Sequence, residues 1–261
     1  MEGDDPIARF AAARADPGRA VIEGLHAIKH ALRFGAELEL VVTDAADELA
    51  ALAAELAPDV ASVFAQRAET VTAEAYRGLG PRAHHTRVVA IARRPPFDPA
   101  AALAARSDAP GVLLDDPRHL GNLGAVVRVA AGADAACVVT TGDTDPWDPV
   151  AIRGAAGLHF ALAVGRLTAA VPTLEVLGDR ALIAFDPDGD PIDPGALPAG
   201  ALYVFGSERH GIGGDLLAAA DARLRIPMRD GVSSLNLATS VAAVLFAWRL
   251  SISVESRARP S

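Results

Sequence analysis

Hydrophobic residues in the first third of the chain alternate between helical and extended spacing. Leu25, Ile28 and Leu32 recur at helical intervals, which predicts an amphipathic helix. An apolar, partly β-branched run follows at 37–43 and predicts a strand. The alternation continues to Arg94 and indicates a small α/β domain. In chain order we predict a helix over 24–34, a strand over 37–43, helices over 45–56 and 71–76, and a strand over 87–92.

A stretch rich in proline and alanine, residues 95–110, interrupts this pattern and disfavours regular structure, apart from one or two helical turns around residues 100–105. Beyond it the alternation becomes sharper, which predicts a mostly parallel sheet covered by helices on both faces. We therefore predict an α/β fold with domains at 1–94 and 111–261 and a linker at 95–110. Strands are expected at 112–114, 136–140, 160–164, 181–185, 202–205 and 223–226, and helices at 124–133, from 148, at 215–220 and at 234–249.

Bulk composition excludes several classes of protein. Hydrophobic residues make up 51% of the chain and the mean hydropathy is +0.25. No apolar run reaches the roughly 18 residues that a membrane helix needs. The first residues lack the basic-then-apolar order of a secretory signal. Cys137 is the single cysteine, so we expect neither a disulfide framework nor a zinc site, and we expect a cytoplasmic protein without a membrane segment or metal.

The formal charge of −9 argues against nucleic acid as a partner, but binding depends on where the positive charges lie. Arginine supplies every basic residue except Lys29, and its guanidinium suits phosphate, although a GC-rich genome explains the same bias. Residues 81–94 are locally basic and form either a phosphate-binding surface or a solvated edge strand and linker. The candidate RNA-binding residues are Lys29, Arg82, Arg87, Arg93 and Arg94.

Glycines flank a polar side chain shortly after the first strand of the second domain. Asn122 lies between Gly121 and Gly124, and Arg128 follows six residues after the asparagine, so its guanidinium could return toward this loop. Glycine lets the backbone turn tightly and approach a ligand. A dinucleotide-binding loop requires G-x-G-x-x-G, whereas the spacing here is G-x-x-G, so that alternative fits poorly.

Two further polar groups follow later strands, at the end of the sheet where open α/β folds bind ligands. Gly206–Glu208 comes directly after a strand, and Glu208 is either a hydroxyl-orienting group or a solvated carboxylate. Ser234 is expected to cap the last helix. Asn236 would then lie in the first turn of a buried helix, where an amide without a partner costs free energy. Asn236 is therefore either a local capping residue or part of a site.

Taken in order, these motifs resemble those of the SpoU/TrmH family of RNA methyltransferases. The matching stretches are Asn122–Arg128, Gly206–Glu208, Ile226–Met228 and Ser233–Asn236. The resemblance spans residues 113–249 and implies a SPOUT domain with a deep trefoil knot, S-adenosylmethionine as cofactor, and a homodimer whose active site is composite. Residues 23–35 resemble, more loosely, the opening helix of an L30e-like RNA substrate domain, which favours rRNA as substrate.

The resemblance also implies roles for individual residues. It assigns cofactor binding to Gly206, Ile226, Met228, Ser234 and Leu235, and catalysis to Asn122, Arg128, Glu208, Ser234 and Asn236. The family proposal makes Arg128 the base, whereas a guanidinium stays protonated to about pH 12 and suits a phosphate clamp equally well. The implied reaction is 2′-O-methylation of a ribose in 23S-type rRNA. A tRNA ribose methyltransferase and a catalytically silent RNA-binding relative are the alternatives.

Overall fold

The computed structural model of the chain describes residues 5–80, 85–169, 171–172 and 174–258. These residues form two compact units. The first comprises the described residues up to Pro96 together with Trp147–Ala161, and the second comprises Phe97–Pro146 and the described residues from Leu162 onward.

The helices and strands follow the predicted alternation and add several short elements to it. Up to residue 93 they are α1 Pro6–Ala15, β1 Arg19–Glu23, α2 Leu25–Arg33, β2 Leu38–Thr43, α3 Ala46–Leu56, α4 Ala61–Arg67, β3 Ala68–Thr70, α5 Ala73–Gly78 and β4 Val88–Arg93. From residue 99 they are α6 Pro99–Ala105, β5 Gly111–Leu114, α7 Leu120–Ala133, β6 Cys137–Thr140, α8 Pro149–Gly154, β7 Ala163–Arg166, α9 Leu174–Leu177, β8 Ala181–Pro191, β9 Ala201–Phe205, α10 Gly214–Ala219, β10 Ala222–Arg225 and α11 Leu237–Ala258. The elements α1, β1, α4, β3 and α9 were not predicted, because short or alanine-rich segments carry little hydrophobic periodicity.

Four strands form a mixed sheet in the first unit, in the order β1-β4-β2-β3. β4 pairs antiparallel with both β1 and β2, and β3 extends the sheet parallel to β2. β4 is therefore a central strand, and Val88–Ala92 is buried. The alternative of a solvated edge strand at this position is wrong.

Residues 147–161 pack with the first unit, although the sequence pattern assigns them to the domain at 111–261. Arg153 of α8 donates to Glu23 with 2.6 Å between Nη1 and Oε2, and the Glu23 side chain is only 8% exposed. Gly157 has a φ of +77° and approaches Ala27 so closely that a Cβ would lie 2.0 Å from the carbonyl oxygen. These contacts join residues far apart in sequence, so no local pattern predicts them.

Six strands form the sheet of the second unit, in the order β10-β8-β9-β5-β6-β7, and every neighbouring pair is parallel. The predicted parallel sheet is thus confirmed. β5, β6 and β9 are buried along their whole length, which is why they read as continuous apolar runs.

Two helices of the second unit begin at other positions than predicted. α7 begins at Leu120, so Gly121 and Asn122 lie in its first turn rather than in a loop. α11 begins at Leu237, after Ser234, and packs against α7. No helix in the described ranges is both long and apolar enough to cross a membrane.

Candidate active site

A cavity of about 450 Å³ lies at the carboxyl edge of the parallel sheet. This size is within the range of roughly 300–1,000 Å³ that is typical of small-molecule sites. β8 contributes Phe185–Pro187, the loop after β9 contributes Gly206–Glu208, and the segment that leads into α11 contributes Ser233–Leu237.

Asn122, Glu208 and Asn236 form one chain of hydrogen bonds, although each belongs to a different motif. Asn122 Nδ2 donates to Glu208 Oε1. Asn236 Nδ2 donates to Asn122 Oδ1 at 3.1 Å. The partners are 86 and 114 positions apart in the sequence, so only the fold brings them together. Three of the predicted catalytic residues therefore meet, and two of them, Glu208 and Asn236, line the cavity.

Backbone donors determine the direction of this chain. The N–H groups of Ala238 and Thr239 donate to Asn236 Oδ1 at 2.9 and 3.4 Å. A backbone N–H can only donate, so the amide nitrogen of Asn236 must face Asn122. The oxygen of Asn122 is then occupied and its nitrogen faces Glu208, which accepts. No described residue donates to Glu208 Oε2, so this oxygen is available to a ligand.

The same contacts make Asn236 the capping residue of α11, so the predicted cap at Ser234 is wrong. Ser234 lies in the exposed segment that lines the cavity, three residues before the helix. Both interpretations of Asn236 hold together, because its oxygen caps the helix while its nitrogen belongs to the site.

A tight turn after β9 carries Glu208. Ser207 and Gly211 exchange two backbone hydrogen bonds of 3.0 Å, and Gly211 has a φ of +66°. The turn folds back onto Gly206, where a Cβ would lie 2.0 Å from the carbonyl carbon of Gly211. Glycine is therefore required at position 206. Glu208 lies within the turn that the two hydrogen bonds between Ser207 and Gly211 hold in place.

Asp115, directly after β5, ties this loop to the neighbouring strands. Its Oδ2 accepts from the Gly213 N–H at 2.7 Å, and its Oδ1 accepts from Thr141 Oγ1 at 2.7 Å. Thr141 follows β6 and also accepts from the Asp116 N–H at 2.9 Å. One carboxylate thus connects three strand ends. Asp115 is not part of the predicted site, although a carboxylate that directly follows a buried strand was a usable signal.

The residues that the resemblance assigns to the cofactor all line the cavity: Gly206, Ile226, Met228, Ser234 and Leu235. Phe185 and Phe205 stack beside them, with ring centroids 4.9 Å apart and planes 7° from parallel. A flat apolar wall, a glycine backbone without a Cβ and two lining carboxylates suit a ligand that combines a nucleoside with an amino-acid group. The residues present therefore fit S-adenosylmethionine.

Arg128 does not lie with the other catalytic candidates. It is exposed on α7 and is not among the residues that line the cavity. Six residues correspond to about 1.7 helical turns, so Arg128 leaves the helix roughly 120° away from Asn122. The predicted return of its guanidinium toward an Asn122 loop is wrong for the single chain, because α7 already includes Asn122.

Two of the candidate RNA-binding arginines are paired with carboxylates of the first unit. Arg87 binds Asp44 through two hydrogen bonds of 2.9 and 2.8 Å. Arg93 lies 3.5 Å from Glu39 and 3.8 Å from Glu37, and its side chain is 68% exposed. Arg93 is therefore the more accessible of the two.

The other candidates for RNA binding contact backbone carbonyls or are not described. Lys29 Nζ donates to the Leu56 carbonyl at 3.3 Å. Arg94 Nε donates to the Arg19 carbonyl at 2.5 Å. Arg82 lies outside the described residues. Arg94 also lies over the Trp147 ring, with its guanidinium carbon 5.9 Å from the ring centroid. Lys29 uses one of its three ammonium donors in its contact.

The cysteine is buried, and two histidines of α2 pack against each other. Cys137 is fully buried, and burial raises the pKa of its thiol to about 12, so it stays protonated and is a poor nucleophile. His26 and His30 stand four apart on α2, and their rings pack edge to face at 4.5 Å. His30 Nδ1 contacts the Ala156 carbonyl at 2.9 Å. Across the described ranges, no group of three or more His, Cys, Asp or Glu side chains is arranged to hold a metal ion.

The sequence matches the model of a known protein family. Residues 110–246, just over half of the chain, match the SpoU rRNA Methylase family. The chain belongs to the SpoU rRNA methylase family. The matched range contains Asn122, Glu208 and Asn236, so the hydrogen-bonded chain and the cavity lie within the SpoU domain.

Curated relatives of this SpoU protein act on ribosomal and transfer RNA. It is 26% identical over 242 residues to the 23S rRNA (uridine(2479)-2′-O)-methyltransferase of Streptomyces viridochromogenes, covering 89% of this chain and 83% of the relative. It is 32% identical over 166 residues to the 23S rRNA (adenosine(1067)-2′-O)-methyltransferase of Streptomyces laurentii, covering 61% and 60%. It is 34% identical over 146 residues to the tRNA (cytidine(34)-2′-O)-methyltransferase of Burkholderia ambifaria, covering 53% and 93%. Several other relatives are matched over only about half to three fifths of their own length.

Solved structures share the SpoU fold over almost the whole chain. The SpoU methyltransferase AviRb from Streptomyces viridochromogenes, in complex with the cofactor AdoMet, superposes with a TM-score of 0.76 at 23% identity, covering 96% of this chain and 99% of AviRb. A structure of an RNA 2′-O ribose methyltransferase superposes with a TM-score of 0.70 at 27% identity, covering 95% of each chain. The α/β fold with its parallel sheet is thereby shown.

Proposed function

We propose that this protein transfers a methyl group from S-adenosylmethionine to the 2′-hydroxyl of a ribose in RNA, with 23S-type rRNA as the substrate. The observation that carries the proposal is the hydrogen-bonded chain of Asn122, Glu208 and Asn236 beside the cavity. Membership of the SpoU family and the named activities of the relatives support the same reaction.

The cofactor would lie in the cavity against the backbone of Gly206, Ile226 and Leu235, with Met228 and Ser234 beside it. When bound, S-adenosylmethionine supplies the sulfonium methyl group. The stacked Phe185 and Phe205 provide an apolar wall that limits access of water. Titration calorimetry with S-adenosylmethionine and with S-adenosylhomocysteine should give about one site per chain. A folded protein that binds neither compound would contradict the proposal.

Glu208 and Arg128 have different roles at the target nucleotide. Through the oxygen that Asn122 does not hold, Glu208 accepts a hydrogen bond from the ribose hydroxyl and orients it for in-line attack. As the hydroxyl oxygen bonds to the methyl carbon and the sulfur–methyl bond breaks, the hydroxyl proton passes to this carboxylate. Arg128 binds the adjacent phosphate and stabilises the negative charge that develops on the hydroxyl oxygen. We prefer this role to that of a base, because a guanidinium resists loss of its proton.

The extent of the similarity favours rRNA over tRNA. The 23S rRNA methyltransferase of Streptomyces viridochromogenes matches 89% of this chain, whereas the tRNA methyltransferase of Burkholderia ambifaria matches 53%, so about half of the chain has no counterpart in it. We assign the first unit to an L30e-like RNA-binding domain in which Lys29, Arg82, Arg87, Arg93 and Arg94 contact phosphates. Arg93→Ala should reduce the slope of log affinity against log salt by about one unit. A cytoplasmic location stays a prediction.

Mass spectrometry of RNA from a strain that lacks the gene tests the reaction and the substrate together. The proposal expects one 2′-O-methylated nucleotide to disappear from 23S rRNA. The wild-type gene should restore it, and the Glu208→Gln variant should not. Loss from tRNA would favour the tRNA alternative, and no loss from any RNA would favour a catalytically silent RNA-binding protein.

We further propose a homodimer, because α11 carries two apolar faces. One face is buried in the second unit, and the opposite face leaves Phe246 and Leu250 41% and 64% exposed. Spacings of four, three and four residues along a helix are typical of a helix–helix interface. The buried face consists of Leu237, Val241, Val244 and Trp248, and the exposed face of Thr239, Ala243, Phe246 and Leu250.

The exposed position of Arg128 supports a composite active site. It lies on α7, which packs against α11, and would reach the cavity of a second subunit rather than its own. Mixing Arg128→Ala with Glu208→Gln tests this directly, because each variant alone should be inactive. After subunit exchange the mixture should regain about a quarter of wild-type activity, since about half of the dimers are mixed and one of their two sites is intact. No recovery, or a stable monomer in sedimentation, would contradict the proposal.

The trefoil knot is proposed from the path of the last segments. β10 is the edge strand beside β8, yet the next element, α11, packs against α7, which follows β5 on the far side of β9. Residues 226–236 must therefore cross the carboxyl edge of the sheet beside the turn that carries Glu208. This crossing supports a threaded chain, which is one of the rare exceptions to unknotted connections.

A further inference from the structure

A bulge within β8 also reaches the cavity, and the family motifs do not include it. β8 pairs with β9 as far as Phe185. In the pairing of β8 with β10, Ala184 lies opposite Arg223, and Asp190 lies opposite the next residue, Leu224. The residues between bulge out of the ladder, and Asp186 and Pro187 line the cavity. Bulges of this kind re-aim a side chain beside a site.

Close packing and hydrogen bonds hold the bulge in place. A Cβ at Gly189 would lie 2.6 Å from the carbonyl carbon of Arg223, so the two backbones are in close contact. Arg223 Nη2 donates to Asp186 Oδ1 at 2.7 Å, and the Asp188 N–H donates to the same oxygen at 3.0 Å. The Asp186 side chain is only 14% exposed. Within the described ranges nothing donates to Oδ2, so this oxygen can still accept hydrogen bonds, and Asp186 is among the residues that line the cavity.

We propose that Asp186 binds the ribose hydroxyls of S-adenosylmethionine through Oδ2. The inference rests on the proposed function and names the group that holds one part of the cofactor. A carboxylate oxygen accepts two hydrogen bonds, and carboxylates at the ends of parallel strands hold ribose hydroxyls in dinucleotide-binding folds. Arg223 already balances the charge of Asp186, so the open oxygen suits a neutral hydroxyl better than the α-ammonium group. Glu208, the other carboxylate among the described lining residues, is held by Asn122.

Calorimetry with two ligands tests this assignment. S-adenosylhomocysteine carries both the ribose and the amino-acid group, whereas 5′-methylthioadenosine carries the ribose alone. Asp186→Asn should weaken binding of both by a similar factor of roughly 10, as expected for hydrogen bonds to a charged acceptor. Asp188→Asn makes the same charge change in the same bulge on an exposed side chain and should leave both affinities unchanged.

The Arg223→Gln variant separates ligand binding from support of the bulge. It retains the Asp186 carboxylate and should weaken both ligands less than Asp186→Asn does. An Arg223→Gln variant that loses as much affinity would overturn the proposal, because Asp186 would then act only through the bulge. If Asp186→Asn weakened the binding of S-adenosylhomocysteine alone, Asp186 would contact the ammonium group, and the proposal would be overturned. Unchanged affinity of this variant for both ligands would also overturn the proposal. A wild-type protein that binds neither ligand would instead refute the proposed function itself.

Discussion

Asn236 performs two tasks, and three substitutions can separate them. Its Oδ1 accepts from the N–H groups of Ala238 and Thr239, and its Nδ2 donates to Asn122 at 3.1 Å. Serine retains an acceptor for the cap and loses the donor to Asn122. Aspartate retains the acceptor and replaces the donor with a second carboxylate oxygen. Alanine removes both.

The expected magnitudes follow from these contacts. Loss of a helix cap costs about 1 kcal/mol of stability. Loss of the hydrogen bond to Asn122 adds about 0.5–1.5 kcal/mol. Asn236→Ala should therefore lower the free energy of unfolding by about 2 kcal/mol, and Asn236→Ser by about half as much.

Asn236→Asp should affect turnover more than stability. A carboxylate at a helix N-terminus is favoured by about 0.5 kcal/mol, which offsets part of the lost hydrogen bond. The Asn122 amide then lies between two carboxylates, and its nitrogen can face only one of them because its oxygen occupies the other side. When that nitrogen turns toward the new carboxylate, Glu208 loses its orienting hydrogen bond, and turnover should fall by roughly 10²-fold.

Urea unfolding followed by circular dichroism measures the first effect, and single-turnover methyl transfer measures the second. Thr239→Ala, at an exposed position in the same helical turn, is the control for substitution at this helix end. The reasoning fails if Asn236→Ser is as unstable as Asn236→Ala, because Asn236 would then not cap α11. It also fails if Asn236→Asp transfers methyl groups at the wild-type rate, because the hydrogen-bonded chain would then not orient Glu208.

Three further predictions concern the surroundings of the site. Gly206→Ala should lower the free energy of unfolding by about 1–3 kcal/mol, because its Cβ would meet Gly211, and calorimetry should detect no cofactor binding. The control is Gly214→Ala, where no atom lies within 4 Å of the added Cβ, and it should change neither stability nor binding. Asp115→Ala removes the acceptor of both the Gly213 N–H and the Thr141 hydroxyl, so urea unfolding should show a loss of about 1–3 kcal/mol, and wild-type stability would contradict this. Cys137 should resist iodoacetamide at pH 8 in the folded chain and react in urea, since burial raises the pKa of its thiol to about 12. Mass spectrometry measures the labelling, and stoichiometric labelling of the folded protein would refute this prediction.

Local sequence was sufficient to predict most elements and to name the candidates for the site. The helical spacing of Leu25, Ile28 and Leu32 predicts α2, and the apolar runs of β5 and β9 predict strands buried on both faces. Their short-range periodicity reflects which face each element must bury, and it survives in any fold that buries those faces. The candidate site residues could be named because short local motifs resemble those of a known family, and that resemblance implies their roles.

The tertiary structure decided which of these residues meet. Asn122 reaches Glu208 and Asn236 across 86 and 114 residues, and the direction of their hydrogen bonds follows from the backbone donors that only the start of α11 supplies. The bulge that turns Asp186 into the cavity depends on how β8 and β10 are paired, and a strand's own sequence does not determine that register. The sequence thus determined the elements and the chemistry that each loop carries. Contacts between distant segments decided where the helices begin and which side chains share a cavity, because pairing register and hydrogen-bond partners are properties of two segments at once.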